Sequence, residues 1–121
     1  MVVGGKIKFG IVGYGKMGRI REKSILNMDG AELTSVYDQE LTEISTENVQ
    51  LCSSYDELLQ SGIDAVVVST YVNAASKFVV DALKAEKHVL CEKPPALSSV
   101  EMNEILETER RCKKILKYGF N

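Results

Sequence analysis

Six residues near the amino terminus, Gly13-Tyr14-Gly15-Lys16-Met17-Gly18, carry the GxGxxG spacing of a phosphate-holding turn. Each glycine answers a separate demand. Gly13 permits the sharp passage out of a strand, Gly15 lets a pyrophosphate approach bare backbone, and Gly18 lets the following helix pack close to the strands. The first turn of that helix, with Lys16 and Met17, offers unpaired amides and a partial positive charge to phosphate. Asp38 follows Gly18 by 20 residues. A carboxylate there accepts hydrogen bonds from both hydroxyls of an adenosine ribose and repels a 2′-phosphate, and no arginine follows at once to offset that repulsion. The chemistry implied is the holding of a dinucleotide, with NAD favoured over NADP. The competing readings are an ordinary strand-to-helix turn for GYGKMG and a solvated turn acid for Asp38. Spacing alone is a weak signal, because 9 glycines in 121 residues will sometimes fall this way. Its setting strengthens it.

That setting follows from the apolar pattern. KIKFGIV (6–12) reads as a buried strand running into Gly13. From Lys16 to Met28, apolar residues at Met17, Ile20, Ile25 and Met28 make a loose helical pattern, stopped by Asp29-Gly30. ELTSVYD (32–38) is a second strand with Asp38 at its end. Residues 39–48 are polar and ambiguous; NVQLC (48–52) fits a short third strand, and a short helix opens near Ser54 and closes at Ser61-Gly62. DAVVVST (64–70) is the clearest strand. Ala74, Ala75, Phe78, Val79, Ala82 and Leu83 then form a continuous apolar helical stripe. HVLCE (88–92) is a fifth strand, stopped by Pro94-Pro95. SSVE (98–101) is a capping box, and its helix carries Met102, Ile105, Leu106 and Cys112 on one face. KILKYGF (114–120) is a last strand. Strands alternating with helical crossovers imply an α/β fold, a doubly wound parallel sheet covered on both faces.

Composition narrows the partners. The chain is of one-domain size, residues 1–121, with 45% hydrophobic and 26% charged residues and a formal net charge of −2. Acidic and basic residues are interleaved, which disfavours nucleic acid or an anionic membrane as partner. The apolar runs are far shorter than the roughly 20 residues of a membrane span, and MVVGGKIKFG lacks the pattern of a secretory signal. Three cysteines at 52, 91 and 112 show no metal-ligand spacing, and His88 has no companion ligand. No metal and a reducing cytoplasm are therefore expected. His88, inside a strand, is expected to be a packed residue rather than a proton acceptor.

Taken together, GYGKMGRIRE, the acid of SVYD, DAVVVST, ALKAEKHVLCEKP and KYGFN resemble, in order and spacing, the N-terminal Rossmann domain of the Gfo/Idh/MocA oxidoreductases. This family includes glucose–fructose oxidoreductase and inositol 2-dehydrogenase. The resemblance runs from about Lys6 to Asn121, and KHVLCEKP (87–94) is its most specific stretch. It implies hydride transfer between a nicotinamide cofactor and a sugar, polyol or cyclitol hydroxyl. It makes Lys93 the catalytic lysine beside the nicotinamide ribose and substrate hydroxyl, with Glu92 and Pro94 shaping its loop. A compact ammonium with three donors suits that task, since it steadies a developing alkoxide; the alternative is a solvated loop lysine before a proline stop. Ser69, Thr70 and Tyr71 occupy the loop that runs along the cofactor in the family, although strand ends are often polar for no further reason.

The chain departs from the family in places. Tyr71, Val72 and Ala75 stand where proline, asparagine and histidine are usual, and Asn73 comes one position late for the asparagine contact. Glu86 replaces the usual glycine before KHV, which should affect only how that helix ends. Full-length members continue past GFN into a second domain that supplies most of the substrate pocket, so the chain to Asn121 is expected to turn over little on its own. A stand-alone regulatory dinucleotide module without catalysis, or a truncated product, remain alternatives; the EKP lysine favours an enzyme. An exposed sheet edge and helix face leave homo-oligomerisation open.

Overall fold

The computed structural model describes residues 6–70, 72–92 and 98–119. Its strands are β1 Ile7–Val12, β2 Ala31–Tyr37, β3 Gln50–Leu51, β4 Ala65–Val68, β5 His88–Glu92 and β6 Leu116–Gly119. Its helices are α1 Lys16–Leu26, α2 Tyr55–Leu59, α3 Val72–Lys84 and α4 Ser99–Cys112. All neighbouring strands are parallel, in the order β3-β2-β1-β4-β5-β6. The chain builds outward from β1 to β3, then returns across to β4 on the other side of β1. Loops leaving β1 and β4 therefore diverge at their carboxyl ends, where sheets of this kind leave a crevice.

Burial explains the strand composition. All four residues of β4 are buried, because side chains alternate between two covered faces. Val66 and Val68 join Leu58 of α2, Val79 and Leu83 of α3 and Ile105 of α4. Val67 joins Ile11, Val36 and, from α1, Ile25 on the opposite face. Four residues of the α3 stripe, Ala75, Val79, Ala82 and Leu83, are at most 1% exposed; Phe78 is only partly buried, and the Ala74 side chain lies outside the described residues. Burying Val79 and Leu83 contributes roughly 1.5–3 kcal/mol each.

Three expectations change in the structure. First, α1 ends at Leu26 rather than Met28, and both Ile20 and Met28 are exposed. Its buried face is Gly18, Glu22 and Ile25, with a carboxylate at its centre, so of the expected apolar positions Ile25 marked the inward side and Ile20 and Met28 did not. Second, Leu106 on α4 is exposed, one residue further round the helix than buried Ile105. Thr108 takes the inward place, and its hydroxyl donates to the Glu104 carbonyl at 2.7 Å. Third, β3 keeps only two residues, and Asn48 just before it is left-handed at φ 63°. The connection over 39–49 has no helix; Leu41, Ile44 and Val49 pack beside the α1 face.

The start of α4 follows the sequence. Ser98 caps α4 by accepting the Glu101 amide at 3.2 Å, and the Glu101 carboxylate accepts the Ser76 hydroxyl of α3 at 3.1 Å. His88 accepts the Ile115 amide on Nδ1 at 3.0 Å, a structural bond at the start of β5. At the end of α3 the Lys87 amide bonds Ala82 O and the Glu86 amide bonds Leu83 O, both at 3.0 Å. That is a Schellman arrangement with Glu86 in the left-handed position, φ 63°. Glu86→Gly is therefore expected to stabilise the fold by about 0.5–1 kcal/mol, through relief of left-handed strain less the entropy glycine adds to the unfolded chain. A raised Tm in thermal unfolding checks it. No helix among the described residues is long and apolar enough to cross a membrane.

Candidate functional site

A cleft of about 540 Å³ opens at the carboxyl ends of β1, β2 and β4. Its floor is the turn after β1. Gly13 has φ +89°, and a Cβ there would sit 2.7 Å from the carbonyl carbon and oxygen of Ser69. The turn thus rests directly on the backbone leaving β4. The Gly13 amide bonds the Tyr37 carbonyl at 2.9 Å, which ties the same turn to β2. A Cβ on Gly18 would overlap the Gly13 carbonyl oxygen, so α1 lies on the turn only because that residue is bare. At Gly15 the position of a Cβ has nothing within 4 Å, and this glycine faces open space in the cleft wall.

The start of α1 is built for negative charge. Gly15 is its N-cap, with no side chain capping it and no acid in the first turn. The helical ladder begins with the Arg19 amide on Gly15 O at 3.0 Å, so it does not use the amides of Lys16, Met17 and Gly18. Lys16 adds a cation to the same wall. Beside this turn, Asp38 stands one residue beyond β2. Its Oδ2 accepts the Tyr14 amide at 2.7 Å and its Oδ1 the Glu40 amide at 2.9 Å. Both oxygens are held in place, and each keeps a further lone pair for a ligand.

On the β4 side of the turn, away from Asp38, the Ser69 and Thr70 hydroxyls are buried and have no hydrogen-bond partner among the described residues. An unpaired buried hydroxyl costs about 1–3 kcal/mol. Bare backbone, free amides, a fixed carboxylate and two unpaired hydroxyls suit a dinucleotide along its length.

A family model described as an oxidoreductase family with an NAD-binding Rossmann fold matches residues 7–120. The chain belongs to the Gfo/Idh/MocA family. It is 31% identical over 122 residues to myo-inositol 2-dehydrogenase of Thermotoga maritima, covering 95% of this chain and 36% of that protein. Against glucose-6-phosphate 3-dehydrogenase of Bacillus subtilis it is 31% identical over 118 residues, covering 94% and 33%. The crystal structure of an NAD-binding protein from Listeria innocua superimposes with a TM-score of 0.80 at 29% identity, over 93% of this chain and 35% of that one. The chain thus spans about a third of the length of these relatives.

In this Gfo/Idh/MocA domain, Gly13, Gly15, Lys16, Met17, Asp38, Ser69 and Thr70 all line one cleft. Two other designated residues act from behind it. Gly18 is buried beneath the turn, and Tyr14 sends its hydroxyl away from the cleft to both oxygens of Glu22, at 2.7 and 2.8 Å. Burial, and then that carboxylate, raise the Tyr14 phenol above its ordinary pKa of 10.0, so it remains a donor. Tyr71, Lys93 and Pro94 lie outside the described residues. Glu92 is described only as the end of β5, and Asn73 only as part of the first turn of α3.

Five wall residues escaped the sequence reading: Val12, Tyr37, Gln39, Glu40 and Phe78. Tyr37 precedes Asp38 at a strand end, a position that could have marked it. Phe78 belongs to the α3 stripe and looked like core; Glu40 carried no signal. Phe78 is held by Tyr55, whose ring meets it edge-on at 4.7 Å and whose hydroxyl donates to the Phe78 carbonyl at 2.6 Å. Among the described residues no group of three or more His, Cys, Asp or Glu could hold a metal ion.

Proposed function

We propose that the cleft holds NAD, and that the chain is the cofactor domain, residues 1–121, of a dehydrogenase acting on a sugar, cyclitol or related hydroxyl substrate. The observation that carries this reading is the opposed chemistry in one cleft: the uncapped start of α1 and the doubly held Asp38 carboxylate. The α1 amides and Lys16 hold the pyrophosphate, and Gly15 allows its approach. Asp38 accepts the ribose hydroxyls. Ser69 and Thr70 pair their hydroxyls with polar groups of the cofactor. Bound nicotinamide supplies the hydride acceptor or donor.

Asp38 and its neighbour Glu40, both lining the cleft, disfavour the extra charge of a 2′-phosphate. Lys93, next in sequence after the end of β5, is assigned the steadying of the substrate alkoxide, with Glu92 and Pro94 shaping its loop, and Tyr71 is assigned with Ser69 and Thr70 to the loop along the cofactor. The relatives named for myo-inositol and glucose 6-phosphate support a polyhydroxylated substrate. Three free cysteines fit a reducing cytoplasm. Calorimetric titration of this chain with each dinucleotide tests the reading. NAD is expected to bind, with NADP at least about tenfold weaker, a difference of about 1.4 kcal/mol. Equal binding of both, or binding of neither, overturns the assignment.

A further inference from the structure

Glu22 sits in the middle of α1 with 9% exposure, a carboxylate where an amphipathic helix usually places an apolar residue. Burying it is costly unless its oxygens are paired. They are paired by hydroxyls from two separate segments: Tyr14 Oη donates to both oxygens, and Thr46 Oγ1 donates to Oε2 at 2.7 Å. Tyr14 lies in the glycine turn, and its amide holds Asp38 Oδ2. Thr46 lies in the connection after β2, which also carries the Glu40 amide that holds Asp38 Oδ1. The two segments that grip Asp38 are therefore the two that Glu22 ties down. From Glu22 the path runs through Tyr14 to Asp38, on to Glu40, and along the connection to Thr46 and back.

We propose that Glu22 is a positioning residue for the cofactor site, fixing Asp38 through this closed ring and so setting its grip on the adenosine ribose. The inference rests on the reading that Asp38 holds that ribose. A residue that served stability alone would need no such convergence, and an apolar side chain at the same place would fill the space without desolvating a charge.

The test compares binding of 5′-AMP with 2′-deoxy-5′-AMP, which lacks one of the hydroxyls in question, to the native chain, Asp38→Ala and Glu22→Gln. Glutamine keeps the shape but presents an NH2 in place of an acceptor. The native chain is expected to prefer AMP by roughly tenfold or more, the scale of a hydrogen bond to a charged group. Asp38→Ala should erase the preference and Glu22→Gln should reduce it below about threefold, a coupling normal for members of one network. An unchanged preference in Glu22→Gln, including an equal weakening of both nucleotides, overturns the inference while leaving the Asp38 reading intact. No preference in the native chain overturns that reading and the inference with it. Tyr14→Phe removes one hydroxyl only and carries the same comparison if Glu22→Gln does not fold.

Discussion

Replacing Asp38 by alanine is expected to weaken NAD binding by about 1.5–3 kcal/mol, the range of hydrogen bonds to a charged group. The structure explains why the loss should be so large for one side chain. Asp38 is fixed by the Tyr14 and Glu40 amides at 2.7 and 2.9 Å, so little ordering remains to be done when a ligand arrives. Alanine removes the acceptors for the ribose and releases both amides together. Asp38→Asn is expected to do no better despite its shape. Its NH2 must face one of two amide donors, and two donors cannot pair. Calorimetry with NAD on each variant checks the prediction, and unchanged affinity in Asp38→Ala removes the NAD assignment.

The second large effect separates two glycines of one motif. Gly13→Ala is expected to destabilise the fold by about 2–5 kcal/mol, combining left-handed strain with a clash against backbone that has no rotamer to yield. Its φ of +89° and the 2.7 Å approach to Ser69 locate both costs. A fall in Tm of roughly 10 °C or more is the readout. Gly15→Ala should leave Tm nearly unchanged, because φ is −82° and a Cβ meets nothing within 4 Å. It should instead lower NAD affinity at least about tenfold, by occupying space the phosphates need. A Gly15→Ala chain that bound NAD normally would show that the ligand does not approach this backbone.

Sequence patterns revealed the elements that bury whole faces. The four buried residues of β4 and the α3 stripe declare themselves, because continuous burial leaves a continuous apolar record. The helix cap at Ser98 was equally legible, since a hydroxyl and an acid three residues apart have a local geometric reason, and the opening of α2 near Ser54 was read as well. Glu22 was not legible. Its partners are 8 and 24 residues away, and a lone buried acid inside a polar-looking helix has no pattern of its own. Phe78 misled for the opposite reason: a residue that lines a cleft from within an apolar stripe looks like any core residue. The left-handed Asn48 and Lys113 were hidden too, because neither is the glycine that would announce such a conformation, whereas Glu86 was marked by standing where the family usually has glycine.

The place where Gly13 rests on Ser69 has a consequence for how the chain assembles. β1 with β2, and β4 with β5, are each joined by a single helix, so each half of the sheet closes over a short stretch of chain. The halves meet only where β1 pairs with β4, from Phe9 and Ala65 to Val12 and Val68. Those residues are far apart in sequence, and joining them carries the largest loop entropy in the central sheet. Gly13 and Ser69 are the first residues past that seam, and the cleft lies across it. On the proposed reading, a dinucleotide held by Gly15 and Asp38 on one half and by Ser69 and Thr70 on the other would act as a brace over the costliest joint. Interactions made after that joint closes slow unfolding rather than hasten folding, so the bound chain should gain its persistence in the lifetime of the native state.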